Sequence, residues 1–434
     1  MGDAWAALSP AAQDALPAAA LLAVPLALAA LLFRGYAPGP LIAARLRRER
    51  GLTAAFAALV AVAVALGAAV TAQERGLREG SAAAARGFEL VIAPPGSELT
   101  SMLATVFLEP SDVGLLDGET FRAVAEHPRV DLAAPLAFGD SYRGAMVVGT
   151  TAALVEALAG PPAEGRPWAA VHEALAGVDA PVAVGARFVP AHGFGAGADA
   201  EAHAQDVAVV GRLARTGTPW DRAILVPVES VWATHGLPTG HADPARVGPP
   251  YDPALFPGTP AIVVRPKGFS AAYGLRAEFT RDGATMAYFP GEVLSRLYAV
   301  MGDVRDAMAL MGAATRLLVA GAVLLALAIL GRLQRRRTAM LRALGAPGRF
   351  VMAVAWGHAA AILAAGTAAG LALGWGAAAA LSAVVSARTG VDVPARLGWA
   401  ELHLALGFLA LASLAALIPA WRATRAPVAE ALRG

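Results

Sequence analysis

The sequence of 434 residues contains no cysteine and a single lysine, Lys267. Without cysteine, the chain cannot form disulfide bonds, thiolate zinc sites, iron–sulfur clusters or a cysteine nucleophile. A P-loop requires a lysine followed by Ser or Thr, and Lys267 precedes Gly268, so the chain carries no Walker-type ATPase site. The patterns H-E-x-x-H and G-x-S-x-G are absent as well. We therefore expect no catalytic residues and no directly bound cofactor.

Charged residues are scarce, at 16% of the chain, whereas 57% of the residues are hydrophobic and the mean hydropathy is +0.55. Soluble domains carry about 25% charged residues, so this composition is typical of a membrane protein. The net charge is only +2, and the arginines occur in short clusters beside apolar runs. We therefore expect membrane lipid, and no nucleic acid, among the partners.

Five apolar segments reach or approach the length of about 20 residues that a bilayer-spanning helix needs. They are residues 17–33, 53–72, 314–330, 351–381 and 402–420. A cleaved signal peptide is an alternative for the first, but its leading region carries Asp3 and Asp14 and no basic residue. We therefore interpret residues 1–34 as an extra N-terminal transmembrane segment.

The arginine clusters predict the orientation, because short basic loops stay in the cytoplasm. Five spans place the basic segments 35–52, 334–350 and 422–434 on one side and residues 73–313 and 382–401 on the other. The remaining four predicted transmembrane helices are 53–72, 314–333, 351–381 and 402–421. The expected fold is a membrane α-helical bundle with a large α+β extracytoplasmic domain inserted between spans 2 and 3.

Residues 73–313 alternate strand-like and helix-like patterns, which predicts an α+β domain. Strands are expected at 88–94, 145–151, 206–213, 223–228 and 261–266, and helices at 118–127 and 151–158. Gly- and Pro-rich joints set off residues 160–220 as an inner lobe. At the two ends, residues 71–86 and an apolar stripe from Leu294 to Met311 predict helices that continue the neighbouring spans as a stalk. Helices packed on their own domain are the alternative.

Histidines of the predicted outer domain are the only candidate metal ligands. His235, His241 and Asp243 lie close together in sequence, and His192 and His203 precede them. No pair has the short spacing of a zinc motif. We therefore expect no metal site and keep these residues as weak candidates, with polar loop histidines as the simpler interpretation.

Residues 334–346 (QRRRTAMLRALGA) form a basic helical start followed by LRALGA, between one apolar span and a glycine-rich one. This segment closely resembles FtsX/MacB-type ABC transporter permeases. Residues 41–70, with an amphipathic helix leading into a span, and residues 419–434 (PAWRATRAPVAEALRG) resemble the same family. The resemblance covers about residue 41 to the end, and four of the five spans correspond to the conserved permease core.

The resemblance implies a non-catalytic subunit in the cytoplasmic (inner) membrane of a bacterium, with the large domain in the periplasm. Two permease copies, expected as a homodimer, would dock two cytoplasmic ABC ATPase subunits that use ATP and Mg²⁺, and a periplasmic adaptor or substrate carrier could join them. The implied ATPase-coupling residues are Arg335, Arg336, Arg337, Met340, Leu341, Arg342, Leu344 and Gly345. Gly366, Gly370 and Gly374 are expected to allow close helix packing, for example in a dimer. Arg337 departs from the family, which usually has an acidic residue there.

Three functions are compatible with this resemblance. The leading hypothesis is a permease that couples ATP hydrolysis by a separate subunit to export or extraction of an apolar, peptidic or lipid-linked substrate. The first alternative is a transmembrane regulator that switches a cell-wall hydrolase or another partner, and the second is a module of a metal (zinc)-homeostasis system. Almost no charged residues lie within the spans, which favours mechanical transmission over conduction.

Overall fold

The computed structural model describes residues 7–193, 203, 205–281, 283–300 and 335–425, with isolated positions between 302 and 329. The chain divides into two compact units. The helical unit comprises Met1–Leu77, Asp303–Ala383 and Pro394–Gly434. The α+β unit comprises Arg78–Gly302 and Val384–Val393.

The described helices and strands follow one another in three groups. The first group consists of the helices α1 (Pro10–Phe33), α2 (Gly39–Arg48) and α3 (Arg50–Ala85). The second contains β1 (Leu90–Ala93), α4 (Glu98–Val106), α5 (Gly118–Ala125), β2 (Val130–Pro135), β3 (Ala137–Tyr142), β4 (Ala145–Thr150), α6 (Ala152–Ala159), β5 (Glu164–Gly165), β6 (Glu173–Ala176), β7 (Arg187–Phe188), β8 (Ala191–His192), β9 (Val207–Arg212), β10 (Ile224–Pro227), α7 (Val228–Thr234), β11 (Ile262–Pro266), α8 (Phe269–Glu278), β12 (Met286–Tyr288) and α9 (Pro290–Val300). The third consists of α10 (Arg335–Ala343), α11 (Gly348–Thr389), α12 (Trp399–Ala415) and α13 (Leu417–Arg425).

Four helical segments of the described chain are long and apolar enough to cross a membrane: α1, α3, α11, and α12 together with α13. They contain the predicted spans 17–33, 53–72, 351–381 and 402–420. The predicted span 314–330 and most of the apolar stripe after Val300 lie outside the described residues, so the count of five spans stays a prediction. The prediction that residues 71–86 continue the second span as a helix is confirmed, because α3 is unbroken to Ala85.

The helical unit is held by an apolar core shared among α3, α11 and α12, with α1 contributing partly buried residues. Trp356 of α11 belongs to this core and is 2% exposed. Its indole Nε1 donates a hydrogen bond of 2.9 Å to the Ser413 carbonyl of α12. The extra helix α1 packs on α12, where the His403 Nε2 lies 2.8 Å from the Asp14 carbonyl oxygen and donates to it. The N-terminal segment is therefore an integral part of this unit.

A buried ion pair joins α3 to the start of α12. The Arg75 Nη1 donates to both oxygens of Glu401, each at 2.8 Å, and the Glu401 side chain is fully buried. Glu401 also accepts the Gly398 amide at 2.7 Å and so caps its own helix. The Arg75 Nη2 donates to the Arg396 carbonyl. The buried carboxylate thus accepts three hydrogen bonds from two donor nitrogens, as a desolvated charge requires.

The described residues of the α+β unit form two sheets. The first has the order β12-β1-β11-β2 and is antiparallel throughout, with Val91 opposite Val263 and Tyr288. The second has the order β5-β9-β6-β10-β4-β3-β8, with β7 paired to β9. It is mixed, since β10 runs parallel to β4 and β6 runs parallel to β9.

The predicted strands 88–94, 145–151, 206–213, 223–228 and 261–266 correspond to β1, β4, β9, β10 and β11 and are confirmed. The helices predicted at 118–127 and 151–158 are confirmed as α5 and α6, which begin at the side-chain caps Asp117 and Thr151. The separate inner lobe predicted at 160–220 is wrong. Its strands β6 and β9 share one sheet with β4 and β10, so the Gly/Pro-rich joints connect strands and do not separate domains.

We predict that Glu401→Ala destabilises the helical unit by about 3–5 kcal/mol, because it leaves the Arg75 charge without its buried partner. The measurement is the thermal midpoint of the purified full-length protein in detergent. Glu401→Gln keeps an acceptor for the Gly398 amide, so it should lower the thermal midpoint less than Glu401→Ala does. The double variant is the further test. If Arg75→Ala destabilises the Glu401→Ala variant as much as it destabilises the wild type, the two residues are not coupled and the interpretation fails.

Candidate functional sites

The predicted coupling segment is a short helix closed by a glycine turn. Helix α10 ends with a Schellman arrangement, in which the Ala346 amide donates to the Leu341 carbonyl and the Gly345 amide to the Arg342 carbonyl, each at 3.0 Å. Gly345 has φ +90, which favours glycine. Pro347 then begins the next helix, since its carbonyl accepts the Phe350 amide at 3.0 Å. The sequence LRALGAP thus produces a tight turn between α10 and α11.

This turn exposes apolar side chains. Leu344 is 86% exposed and Met340 is 49% exposed, four residues apart on one face. Leu341 and Arg342 are half-buried, and Ala339 is buried. The side chains of Arg335, Arg336 and Arg337 lie outside the described residues. An exposed leucine and methionine in an arginine-rich segment of the sequence are typical of a surface that binds a partner protein.

The three predicted packing glycines of α11 face α3 of the same chain. A Cβ on Gly366 would lie 2.8 Å from the Ala57 carbonyl oxygen, on Gly370 2.7 Å from that of Ala61, and on Gly374 2.8 Å from that of Ala65. Real Cβ atoms do not approach backbone this closely, so only glycine fits at these positions. The close approach suggested for a dimer occurs here within one chain, and the homodimer stays a prediction.

Three histidines of the α+β unit surround one buried carboxylate. The Asp140 Oδ1 lies 3.0 Å from the His203 Nε2, 3.4 Å from the His192 Nδ1 and 3.6 Å from the His235 Nε2. Pairing of β3 with β8 places Asp140 opposite His192. His235 is the residue that follows α7, and its Nδ1 lies 2.7 Å from the Val231 carbonyl oxygen. We call these four residues the histidine cluster.

The other weak metal candidates lie elsewhere. His241 is buried, with its Nε2 3.5 Å from the Glu229 Oε1, and Asp243 accepts the Ala245 amide at 3.0 Å in a loop turn. The grouping of His235 with His241 and Asp243 therefore does not form in the structure. Sequence alone indicated His192 and His203 but not Asp140, because sheet register, and not proximity in sequence, brings Asp140 to the cluster.

Glu229 and Tyr251 form a buried polar pair beside His241. Burial is the main cause that raises the pKa of Glu229, although the Gly248 amide, which donates to it at 2.5 Å, opposes the shift. Burial also raises the pKa of the Tyr251 hydroxyl, as does the neighbouring carboxylate. Aromatic contacts of Tyr251 with Trp232 and Phe256 connect this pair to the core. It is therefore a structural element of the α+β unit.

Comparison with known proteins gives one family match. Residues 309–428 match the family model of the FtsX-like permease C-terminal domain, which confirms the resemblance predicted from the LRALGA segment. No curated protein sequence matches the chain significantly.

Two solved structures are similar to part of the chain. The first is the periplasmic region of MacB from Actinobacillus actinomycetemcomitans, at 9% identity over 49% of this chain and 95% of that one, with a TM-score of 0.30. The second is the extracellular domain of the noncanonic ABC-type transporter YknZ from Gram-positive bacteria, at 11% identity over 46% and 98%, with a TM-score of 0.28. TM-scores this low carry no argument about function.

We predict that Gly370→Leu destabilises the helical unit by at least about 1–3 kcal/mol, because the new side chain overlaps the α3 backbone. Gly376→Leu is the matched control, since a Cβ at Gly376 meets nothing within 4 Å. Both variants are compared with the wild type by thermal unfolding in detergent. Equal thermal midpoints for the two variants would contradict the proposed contact.

The raised pKa of Glu229 predicts a pH dependence of stability. The neutral carboxyl is favoured in the folded state, so its stabilising contribution is complete below the ordinary pKa of 4.5 and is lost as pH rises through the folded value. The thermal midpoint of the wild type, relative to that of Glu229→Gln, should therefore fall as the pH rises above about 4.5. The exposed Glu126, replaced by Gln, is the control. If the difference in thermal midpoint between the wild type and Glu229→Gln did not change with pH, the explanation would be ruled out.

Proposed function

We propose that this chain, whose residues 309–428 match the FtsX-like permease C-terminal domain, is the membrane subunit of an ABC transporter whose ATPase is a separate protein. The chain itself lacks a P-loop, since Lys267, its single lysine, precedes Gly268. The family match implies a cytoplasmic ATPase partner. The ATPase would supply the energy, and this chain would convert it into movement of the α+β unit at the outer face of the membrane.

The exposed pair Met340 and Leu344 is the observation that carries this proposal. Both apolar side chains are exposed and lie in the family-matched segment, which is rich in arginine in its sequence. Burial of a leucine side chain against a partner contributes about 1.5–3 kcal/mol, and the positive charge of this segment of the sequence would favour an acidic partner surface. The Schellman turn fixes the pair at the start of α11. A displacement of α10 by the ATPase would therefore act directly on α11.

Helix α11 provides a path for that displacement. Its 42 residues correspond to about 63 Å at 1.5 Å per residue, about twice the hydrocarbon thickness. Its last residues, from Val384, belong to the α+β unit. There Arg222 donates to the carbonyls of Ala387 and Arg388 at 2.9 and 3.1 Å, which caps the helix. One unbroken helix thus has the coupling turn at its beginning and a hydrogen-bonded end in the α+β unit.

The composition of the spans favours mechanical transmission over conduction. No Asp, Glu, Lys or Arg occurs in residues 15–33, 51–73, 350–387 or 402–421. A path for ions or polar solutes through a membrane is normally lined with such groups. The substrate class that fits is therefore an apolar, peptidic or lipid-linked molecule that is exported or extracted at the periplasmic side. We propose a homodimer with two ATPase copies as the working assembly.

Leu344→Glu should abolish association with the ATPase, because it puts a charge in the centre of the proposed apolar contact. The measurement is co-purification of the ATPase with the tagged full-length permease from native membranes, with band intensities normalised to the permease. We expect at least about a tenfold loss, which corresponds to 1.4 kcal/mol.

The control is Leu237→Glu, an exposed leucine of the α+β unit, 46% exposed. It should leave ATPase recovery unchanged, and both variants should insert in the membrane in amounts equal to the wild type. Undiminished ATPase recovery with Leu344→Glu would refute the assignment of α10 and the following turn as the coupling element.

A further inference from the structure

The histidine cluster has the composition and the geometry of a transition-metal site. Its potential ligand atoms, three imidazole nitrogens and one carboxylate oxygen, all lie within 4.8 Å of one another. Zn²⁺ with bond lengths of about 2.0–2.1 Å holds four tetrahedral ligands about 3.3 Å apart. The distances from the Asp140 Oδ1 to the three nitrogens, 3.0, 3.4 and 3.6 Å, bracket this value.

Hydrogen bonding alone does not explain the cluster. The contact between Asp140 and His203 is a hydrogen bond by distance, but 3.4 and 3.6 Å exceed the usual N–H···O range of 2.7–3.2 Å. The imidazole ring centroids are only 4.1, 4.9 and 5.1 Å apart. Three imidazole rings gathered on one carboxylate oxygen that is almost inaccessible to solvent are the arrangement that a shared metal ion would stabilise.

The protein orients the ligands from outside the cluster. The Val231 carbonyl can only accept, so the His235 Nδ1 carries the proton and its Nε2 presents a lone pair towards Asp140. The Ser141 hydroxyl donates to the Gly193 carbonyl at 2.7 Å, and the Gly193 amide donates to the Gly139 carbonyl at 2.9 Å. These bonds fix β3 against β8, and therefore Asp140 against His192.

We propose that Asp140, His192, His203 and His235 form a Zn²⁺-binding site in the α+β unit. Three neutral imidazoles and a carboxylate make a closed set of four ligands, the arrangement that structural zinc sites use. Nitrogen ligands select Zn²⁺ over Mg²⁺ and Ca²⁺, which take oxygen. The ion joins β3, β8, the chain at position 203 and the end of α7. This binding does not depend on the proposed coupling to an ATPase.

The test uses the full-length protein in detergent, purified with a tag free of histidine and stripped of metal with a chelator. Calorimetric titration with Zn²⁺ should give one ion per chain, and Mg²⁺ and Ca²⁺ should give no binding. Co²⁺ in place of Zn²⁺ should produce the intense visible absorption of a tetrahedral site. Loss of a partner outside the ligand shell typically weakens a metal site 10–100-fold, so His203→Ala and His192→Ala should each weaken Zn²⁺ binding at least about 100-fold.

Two further variants keep the test decisive. Asp140→Asn preserves the size of the buried side chain and should also weaken binding, while His172→Ala removes an exposed histidine outside the cluster and should not change it. Circular dichroism of each metal-free variant checks that the fold is retained, and Zn²⁺ should raise the thermal midpoint of the wild type but not that of the cluster variants. Absence of stoichiometric binding in the wild type, or equal affinity in the cluster variants, would overturn the proposal.

Discussion

The close contact of α11 with α3 is the constraint on which the helical unit depends. Lipid offers no hydrophobic driving force between helices, so their association relies on backbone-to-backbone approach and on buried polar contacts. The glycines at 366, 370 and 374 of α11 lie against the alanines at 57, 61 and 65 of α3. In each of the three pairs the alanine carbonyl oxygen lies within 2.8 Å of the place that a Cβ on the glycine would occupy. The two helices that meet in this way are also the two longest described helices of the chain.

Polar contacts at the margin of the bundle complement that contact. The Ser382 hydroxyl lies 3.2 Å from the Gln73 side-chain oxygen and donates to it, and the Arg75 pair with Glu401 follows half a turn later on α3. In hydrocarbon an unpaired carboxylate is costly, so Glu401 specifies which residues must neighbour the start of α12. The glycines thus determine how closely the helices approach, and the buried ion pair determines their register.

Local patterns predicted the elements well, and long-range pairing explains most of what they missed. Uninterrupted apolar runs indicated α1, α3, α11 and α12, and β-branched runs between turn residues indicated β1 and β11. Strand β3 (AFGDSY) was missed, because a glycine, an aspartate and a serine weaken its strand propensity. Its position comes from pairing with β4 on one side and β8 on the other.

The same reasoning explains why the histidine cluster was not predicted. Zinc motifs in a sequence have two ligands a few residues apart, whereas Asp140 and His235 are separated by β4, α6, the strands from β5 to β10, and α7. The family match covers residues 309–428, so it does not include these ligands either. The burial of Asp140, which the structure shows and the sequence does not, is the signal that points to the cluster. Because a desolvated carboxylate needs compensating charge, such a residue indicates that a cation or several donors converge on it from elsewhere in the chain.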